Sequence, residues 1–78
     1  MKREEMRRKI NDELRHIPRS FRGSNQNLFR LYYNTMRMTD LGQNPALPAK
    51  DTLIRAIEAL REHHPDFSPI YDRDFFHI

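Results

Sequence analysis

The residues best suited to chemistry in this 78-residue chain are the arginines of a long segment without carboxylates. No Asp or Glu occurs between Glu13 and Asp40, and the segment also lacks lysine. Its five arginines are Arg15, Arg19, Arg22, Arg30 and Arg37. Because guanidinium groups form planar, bidentate contacts with phosphates and carboxylates, the segment predicts a positively charged surface that binds an anionic partner.

Four polar side chains in this segment recur at intervals of three, four and three residues, which places them in one line along a helix. They are Asn27, Arg30, Asn34 and Arg37. Arg and Asn side chains hydrogen-bond to the edges of guanine and adenine, and both also bind phosphate. The residues predicted to bind nucleic acid or another anionic partner are therefore Arg15, Arg19, Arg22, Asn27, Arg30, Asn34 and Arg37.

The remaining positions of the same helix are mostly apolar, and we expect its aromatic rings to lie in the core. Leu31 and Met38 extend this apolar face on one flank. A buried central helix must keep one side in water, so the Asn and Arg line could be only that solvated side. The absence of carboxylates favours binding, because the first and third helices can pair their basic residues internally at four-residue spacing and the second cannot.

The chain predicts one small all-α domain, residues 1–78, with three helices and an aromatic C-terminal tail. Two of the helices show apolar stripes at helical spacing. These are Met6, Ile10, Leu14 and Ile17 in the first helix, and Leu53, Ile54, Ile57 and Leu60 in the third. The helices are expected at about residues 2–17, 24–41 and 49–64. The tail, residues 66–78, is expected to fold back over the helices, with a short β-ribbon or an exposed partner-docking segment as alternatives.

Residues that favour helix ends agree with these limits. Pro18 stops the first helix, since proline lacks the N–H that a helix interior requires. Ser24 or Asn25 is placed to cap the second helix. Gly42 is placed to end it in a left-handed conformation. Pro48 suits the first turn of the third helix.

The third helix offers a second placement of the binding surface. Residues 47–60 read LPAKDTLIRAIEAL and resemble the recognition-helix region of winged helix-turn-helix regulators, apart from a long preceding connector. The resemblance implies a helix-turn-helix-like arrangement in which Lys50, Thr52 and Arg55 enter the DNA groove. Residues 66–77 would then form a short β wing.

Composition argues against several protein classes. The absence of cysteine excludes disulfides and thiolate metal sites. No apolar run is long enough to span a membrane, and no signal peptide is recognisable, so we expect a cytoplasmic protein without a membrane partner. No glycine-rich phosphate loop or nucleophile–base spacing occurs, which predicts a non-enzyme without a cofactor. His63 and His64 point about 100° apart on a helix, so no metal site is expected.

The net charge of +3 conceals an asymmetry between the two halves of the chain. Residues 1–39 contain ten Lys and Arg against four Asp and Glu, whereas residues 40–78 contain four against seven. This pattern is typical of a nucleic-acid partner or of self-association as a homodimer. We expect a small non-catalytic protein that binds nucleic acid, DNA or RNA, or acts as a regulator. The alternative is a protein-interaction module, a small regulator or inhibitor, that binds an acidic surface of a larger protein.

Overall fold

Three α-helices form most of the chain that the computed structural model describes, residues 1–17 and 25–67. They are α1 (Arg3–His16), α2 (Gln26–Gln43) and α3 (Ala49–His63). The predicted all-α fold with three helices is confirmed for these ranges, and each helix end lies within two residues of its expected position. The described ranges contain no strand, and the expected β wing falls outside them from residue 68 onward.

The two ends of α2 differ in how well they were predicted. The Asn25 side-chain oxygen accepts a hydrogen bond from the Leu28 N–H at 3.1 Å, so Asn25 is the expected N-cap. The prediction for Gly42 is wrong, because this glycine lies inside the helix and is not left-handed. The helix instead ends at Gln43, and the extended Asn44 is its C-cap, with a backbone N–H that donates to the Asp40 carbonyl at 2.7 Å. Asn44 is extended because it precedes Pro45, and the residue before a proline is disfavoured in the helical conformation.

The core forms where α2 packs against both α1 and α3. The aromatic rings of Phe29 and Tyr33 stack there, with their centroids 6.0 Å apart. The buried apolar residues are Ile10, Leu14, Ile17, Phe29, Tyr33, Leu41, Leu53, Ala56, Ile57, Leu60 and Phe67. Six of the eight residues predicted for the two apolar stripes are among them, since helical spacing brings each stripe to one face. Phe67, the first aromatic residue of the tail, is also buried.

The flank of the apolar face on α2 is not uniformly covered. Met38 is partly buried against the core, whereas Leu31 is 60% exposed. An exposed leucine on its own is common on protein surfaces. None of the helices in the described ranges is both long and apolar enough to cross a membrane.

Candidate nucleic-acid interface

The predicted polar line on α2 divides into an exposed part and a buried part. Asn27, Arg30 and Asn34 are exposed, as expected. The prediction that Arg37 continues this exposed line is wrong, because only 1% of its surface is accessible. The position of Arg37 belongs both to the Arg30–Asn34 line and to the buried series of Phe29 and Tyr33, four residues apart. Periodicity alone therefore could not decide its environment.

The Arg37 guanidinium is bonded to α1, to the connector before α3, and to α3. Its Nε and Nη2 atoms donate to the two carboxylate oxygens of Glu13, each at 2.9 Å. Its Nη1 atom donates to the Leu47 carbonyl at 2.9 Å and to the Thr52 hydroxyl at 3.2 Å. The Tyr33 hydroxyl donates to the same Glu13 carboxylate at 3.1 Å. Arg37 therefore joins the elements of the fold and is not available to an external anion.

This environment raises the pKa of both Arg37 and Tyr33. Burial disfavours the charge on Arg37, but the hydrogen bonds and negative charge of Glu13 outweigh that effect and raise the pKa of the guanidinium. Burial and the neighbouring Glu13 carboxylate raise the pKa of the Tyr33 hydroxyl above its usual range, although Arg37 opposes this. The Arg37 guanidinium therefore keeps its charge, and the Tyr33 phenol stays neutral beside it.

A second set of contacts continues from Arg37 to the surface through Thr52. The Thr52 hydroxyl donates to the Asp40 carboxylate at 2.6 Å, and Arg55 forms an ion pair with the same carboxylate oxygen. The prediction that Thr52 enters a DNA groove is wrong, because this side chain is fully buried between Arg37 and Asp40. Lys50 and Arg55 remain exposed on α3, but Arg55 is engaged by Asp40.

The exposed residues of α2 lie along a groove between α1 and α2. Its two overlapping parts have volumes of about 340 and 410 Å³. Leu14 and Phe29 line it beneath the polar side chains, and Leu31 lies at its edge on α2. The polar residues of this arginine–asparagine groove are Arg7, Asn11 and Arg15 from α1, and Gln26, Asn27, Arg30 and Asn34 from α2.

Among residues 1–17 and 25–67, no carboxylate lines the arginine–asparagine groove. Within the described ranges, its three arginines also have no acidic side chain within ion-pair distance. Glu13 belongs to the same stretch of α1, but its carboxylate is bound by Arg37. The first turn of α2 contains no acidic residue, in contrast to the first turns of α1 and α3. The positive end of the α2 dipole therefore adds to the charge of the guanidinium groups.

The structure brings together four of the seven predicted anion-binding residues. Arg15, Asn27, Arg30 and Asn34 share the groove, and Arg37 lies apart in the interior. The predicted residues Arg19 and Arg22 lie outside the described ranges. Two further groove residues, Arg7 and Asn11, were missed. Their four-residue spacing with Arg15 along α1 was the available signal, because residues at this spacing share a helix face.

Comparison with protein-family models, with curated proteins and with solved structures found no significant match. In the described ranges, no group of three His, Asp or Glu side chains is arranged to bind a metal ion. The geometry and charge of the arginine–asparagine groove are therefore the basis for considering function.

Proposed function

We propose that this is a small non-catalytic nucleic-acid-binding protein whose arginine–asparagine groove binds the phosphate backbone. The observation that supports this most directly is a concave surface to which the described part of the chain contributes three arginines, three asparagines and no carboxylate. The guanidinium groups provide charge and bidentate hydrogen bonding for phosphate oxygens. The amides provide neutral donors and acceptors, which can contact sugars, phosphates or base edges.

The length of the groove fits a short stretch of one strand. On α1 the arginines at its two ends, Arg7 and Arg15, are eight residues apart, which corresponds to about 12 Å of helix. At a rise of about 3.4 Å per nucleotide, this length covers about three nucleotides. The groove is also lined on both sides by helices, so a single backbone can contact arginines from α1 and α2 together.

The test is a titration of fluorescently labelled single-stranded and duplex oligonucleotides at several salt concentrations. Arg30→Gln is expected to weaken binding and to reduce the slope of log K against log[salt] by about 0.7 for single strands or 0.9 for duplex. Arg8→Gln is the matched control, because Arg8 is exposed on α1 and does not line the groove. Equal effects of the two substitutions, or no binding to any oligonucleotide at low salt, would refute the proposal.

An acidic protein surface is the second candidate partner, and the exposure of Leu31 at the edge of the groove favours it. Arginine is enriched at protein-binding surfaces, and an apolar side chain beside it adds area that a partner can cover. This alternative predicts a complex that survives nuclease treatment. Arg30→Glu should abolish that complex and Arg8→Glu should preserve it, as measured by co-purification of the tagged protein from its own cells.

A further inference from the structure

A second groove lies on the other side of Leu31, between α2 and α3. It has a volume of about 650 Å³, and its lining is mainly apolar. Its residues include Leu31, Tyr32 and Met36 from α2, with Ala59, His63 and His64 at the α3 side. Leu31 lines both this apolar groove and the arginine–asparagine groove. The two surfaces therefore adjoin along one residue of α2.

Ring side chains form part of the apolar groove. The rings of Tyr32 and His64 meet edge to face, with centroids 5.8 Å apart and planes at 87°. Tyr32 is half-buried, whereas His63 and His64 are exposed. An edge-to-face contact leaves ring surface and ring edge available to a further planar group. This arrangement suits contact with the flat faces of nucleic-acid bases.

We infer that the apolar groove receives the bases of a single nucleic-acid strand whose phosphates lie in the arginine–asparagine groove. This inference rests on the proposed function and specifies its ligand as single-stranded. Consecutive residues of a helix point about 100° apart. Arg30, Leu31 and Tyr32 consequently present a cation, an aliphatic side chain and an aromatic ring on successive sides of α2. A single strand has the complementary pair of surfaces, an anionic backbone and exposed base faces.

The distribution of charge favours this orientation of the strand. The arginine–asparagine groove contains three cations, whereas no Lys, Arg, Asp or Glu of the described residues lines the apolar groove. α3 itself carries three cations and three carboxylates, so its net charge does not attract phosphate. The phosphates are therefore favoured beside α1, and the uncharged bases beside α3. A duplex satisfies this arrangement poorly, because its base faces are covered by stacking.

The experiment compares three ligands of equal length: a single strand, its duplex, and an abasic strand that retains the phosphates but has no bases. We expect the single strand to bind about tenfold more tightly than the abasic strand for each stacked base. The single strand should also bind more tightly than the duplex. Equal affinities for the normal and abasic strands, or preference for the duplex, would overturn the inference.

Variants separate this inference from the proposed function. Leu31→Ser should remove much of the preference for bases, and far-UV circular dichroism should show a native fold because Leu31 is exposed. His63→Ala should also reduce the preference for bases, and it should leave the salt slope unchanged because His63 lines the apolar groove and not the arginine–asparagine groove. Arg30→Gln should weaken binding of the normal and abasic strands equally.

Each result identifies which proposal fails. If Arg30→Gln weakens binding but Leu31→Ser and His63→Ala leave the base preference intact, the inference fails and the proposed function stands. If no strand binds, both fail. If Leu31→Ser abolishes a nuclease-resistant protein complex without affecting oligonucleotide binding, the apolar groove belongs to a protein partner and the inference is wrong.

Discussion

The two halves of α2 place the same side chain in opposite environments. Arg30 is exposed in a groove, and within the described ranges no carboxylate lies within ion-pair distance of it. Arg37, two helical turns later, is 1% exposed and bonded to both oxygens of Glu13. The two arginines point in nearly the same direction from the helix axis, since seven residues make about two turns. The difference arises because Glu13, Leu47 and Thr52 surround only the C-terminal half.

This comparison shows that a row of arginines is not by itself a binding surface. A carboxylate from a neighbouring helix converts one guanidinium into a group that fixes the fold, and its absence leaves another available to a ligand. Glu13 and Asp40, the acids at the two ends of the carboxylate-free segment, each bind an arginine of the fold. The arginines that can still contact an external anion are therefore Arg30 and its neighbours in the arginine–asparagine groove.

The largest expected effect on the free energy of unfolding comes from the buried ion pair between Glu13 and Arg37. Glu13→Gln leaves the Arg37 cation buried without its counter-charge, and should lower the free energy of unfolding by about 3–5 kcal/mol. That is a large part of the roughly 5–15 kcal/mol that stabilises a typical domain. Urea denaturation followed by circular dichroism measures the change. Replacing both Glu13 and Arg37 by Met should recover part of the loss, because no unpaired charge remains.

Arg30→Gln is the matched control in the same helix. It should change the free energy of unfolding by no more than about 0.5 kcal/mol, because Arg30 is exposed and unpaired within the described ranges. Similar destabilisation by Arg30→Gln and Glu13→Gln would contradict the distinction between the two halves of α2. Loss of oligonucleotide affinity without loss of stability in Arg30→Gln would support this distinction.

Thr52→Val should have the next largest effect. Valine keeps the shape of threonine but removes the hydroxyl that donates to Asp40 and accepts from Arg37. The buried groups that lose this partner should make the variant less stable by about 1–3 kcal/mol. The measurement is again urea denaturation, with Thr35→Val as an exposed threonine control on α2. A difference of less than about 0.5 kcal/mol between the two variants would show that the Thr52 hydroxyl contributes little.

Much of the fold followed from the sequence because local signals agreed with each other. The apolar stripes of α1 and α3 and the Asn25 cap depend on spacing within one helix, and the structure confirms them. The prediction for Gly42 was wrong because a glycine near a helix end permits the left-handed conformation without requiring it. α2 ends instead at the residue before Asn44, because Asn44 precedes Pro45 and the residue before a proline is disfavoured in the helical conformation.

The candidate site was predicted only in part, because it depends on contacts between helices. Arg30 and Asn34 were identified from α2 alone. Arg7 and Asn11 belong to α1, and they reach the groove because α1 packs beside α2. The spacing of residues within α2 cannot reveal this contact. Arg37 was misplaced for the same reason, since its carboxylate partner is 24 residues away in sequence. Long-range pairing, and not residue type, determined which polar residues remained exposed.

Tyr33→Phe should produce a smaller, pH-dependent effect. At pH 7 the loss of the hydrogen bond to Glu13 should cost about 1 kcal/mol. Because the pKa of Tyr33 is raised in the folded protein, the unfolded chain releases the phenolic proton first as the pH rises. The resulting stabilisation is fully present below about pH 10 and is lost as the pH rises above it.

The check is the free energy of unfolding at pH 8 and pH 11. The unmodified protein should lose more stability over this interval than Tyr33→Phe, by about 1 kcal/mol. Tyr32→Phe serves as the comparison, because it removes a phenol that has no contact with Glu13 among the described contacts. Parallel losses in the unmodified protein and Tyr33→Phe would show that Tyr33 does not couple to the ion pair.

Among the residues bonded to Glu13, Arg37 or Asp40, the smallest expected effect is at Arg55, where these contacts reach the surface. Its side chain is 47% exposed, and an exposed ion pair contributes about 0–1 kcal/mol. Arg55→Gln should therefore lower the free energy of unfolding by less than Thr52→Val does, because Asp40 keeps its bond to Thr52. The difference between Arg55→Gln and the unmodified protein should also shrink at 1 M salt, where surface charges are screened. If Arg55→Gln matched Thr52→Val and its effect persisted at high salt, Asp40 would depend on the charge of Arg55, and the stabilising contacts of Arg37 would extend to the surface of α3.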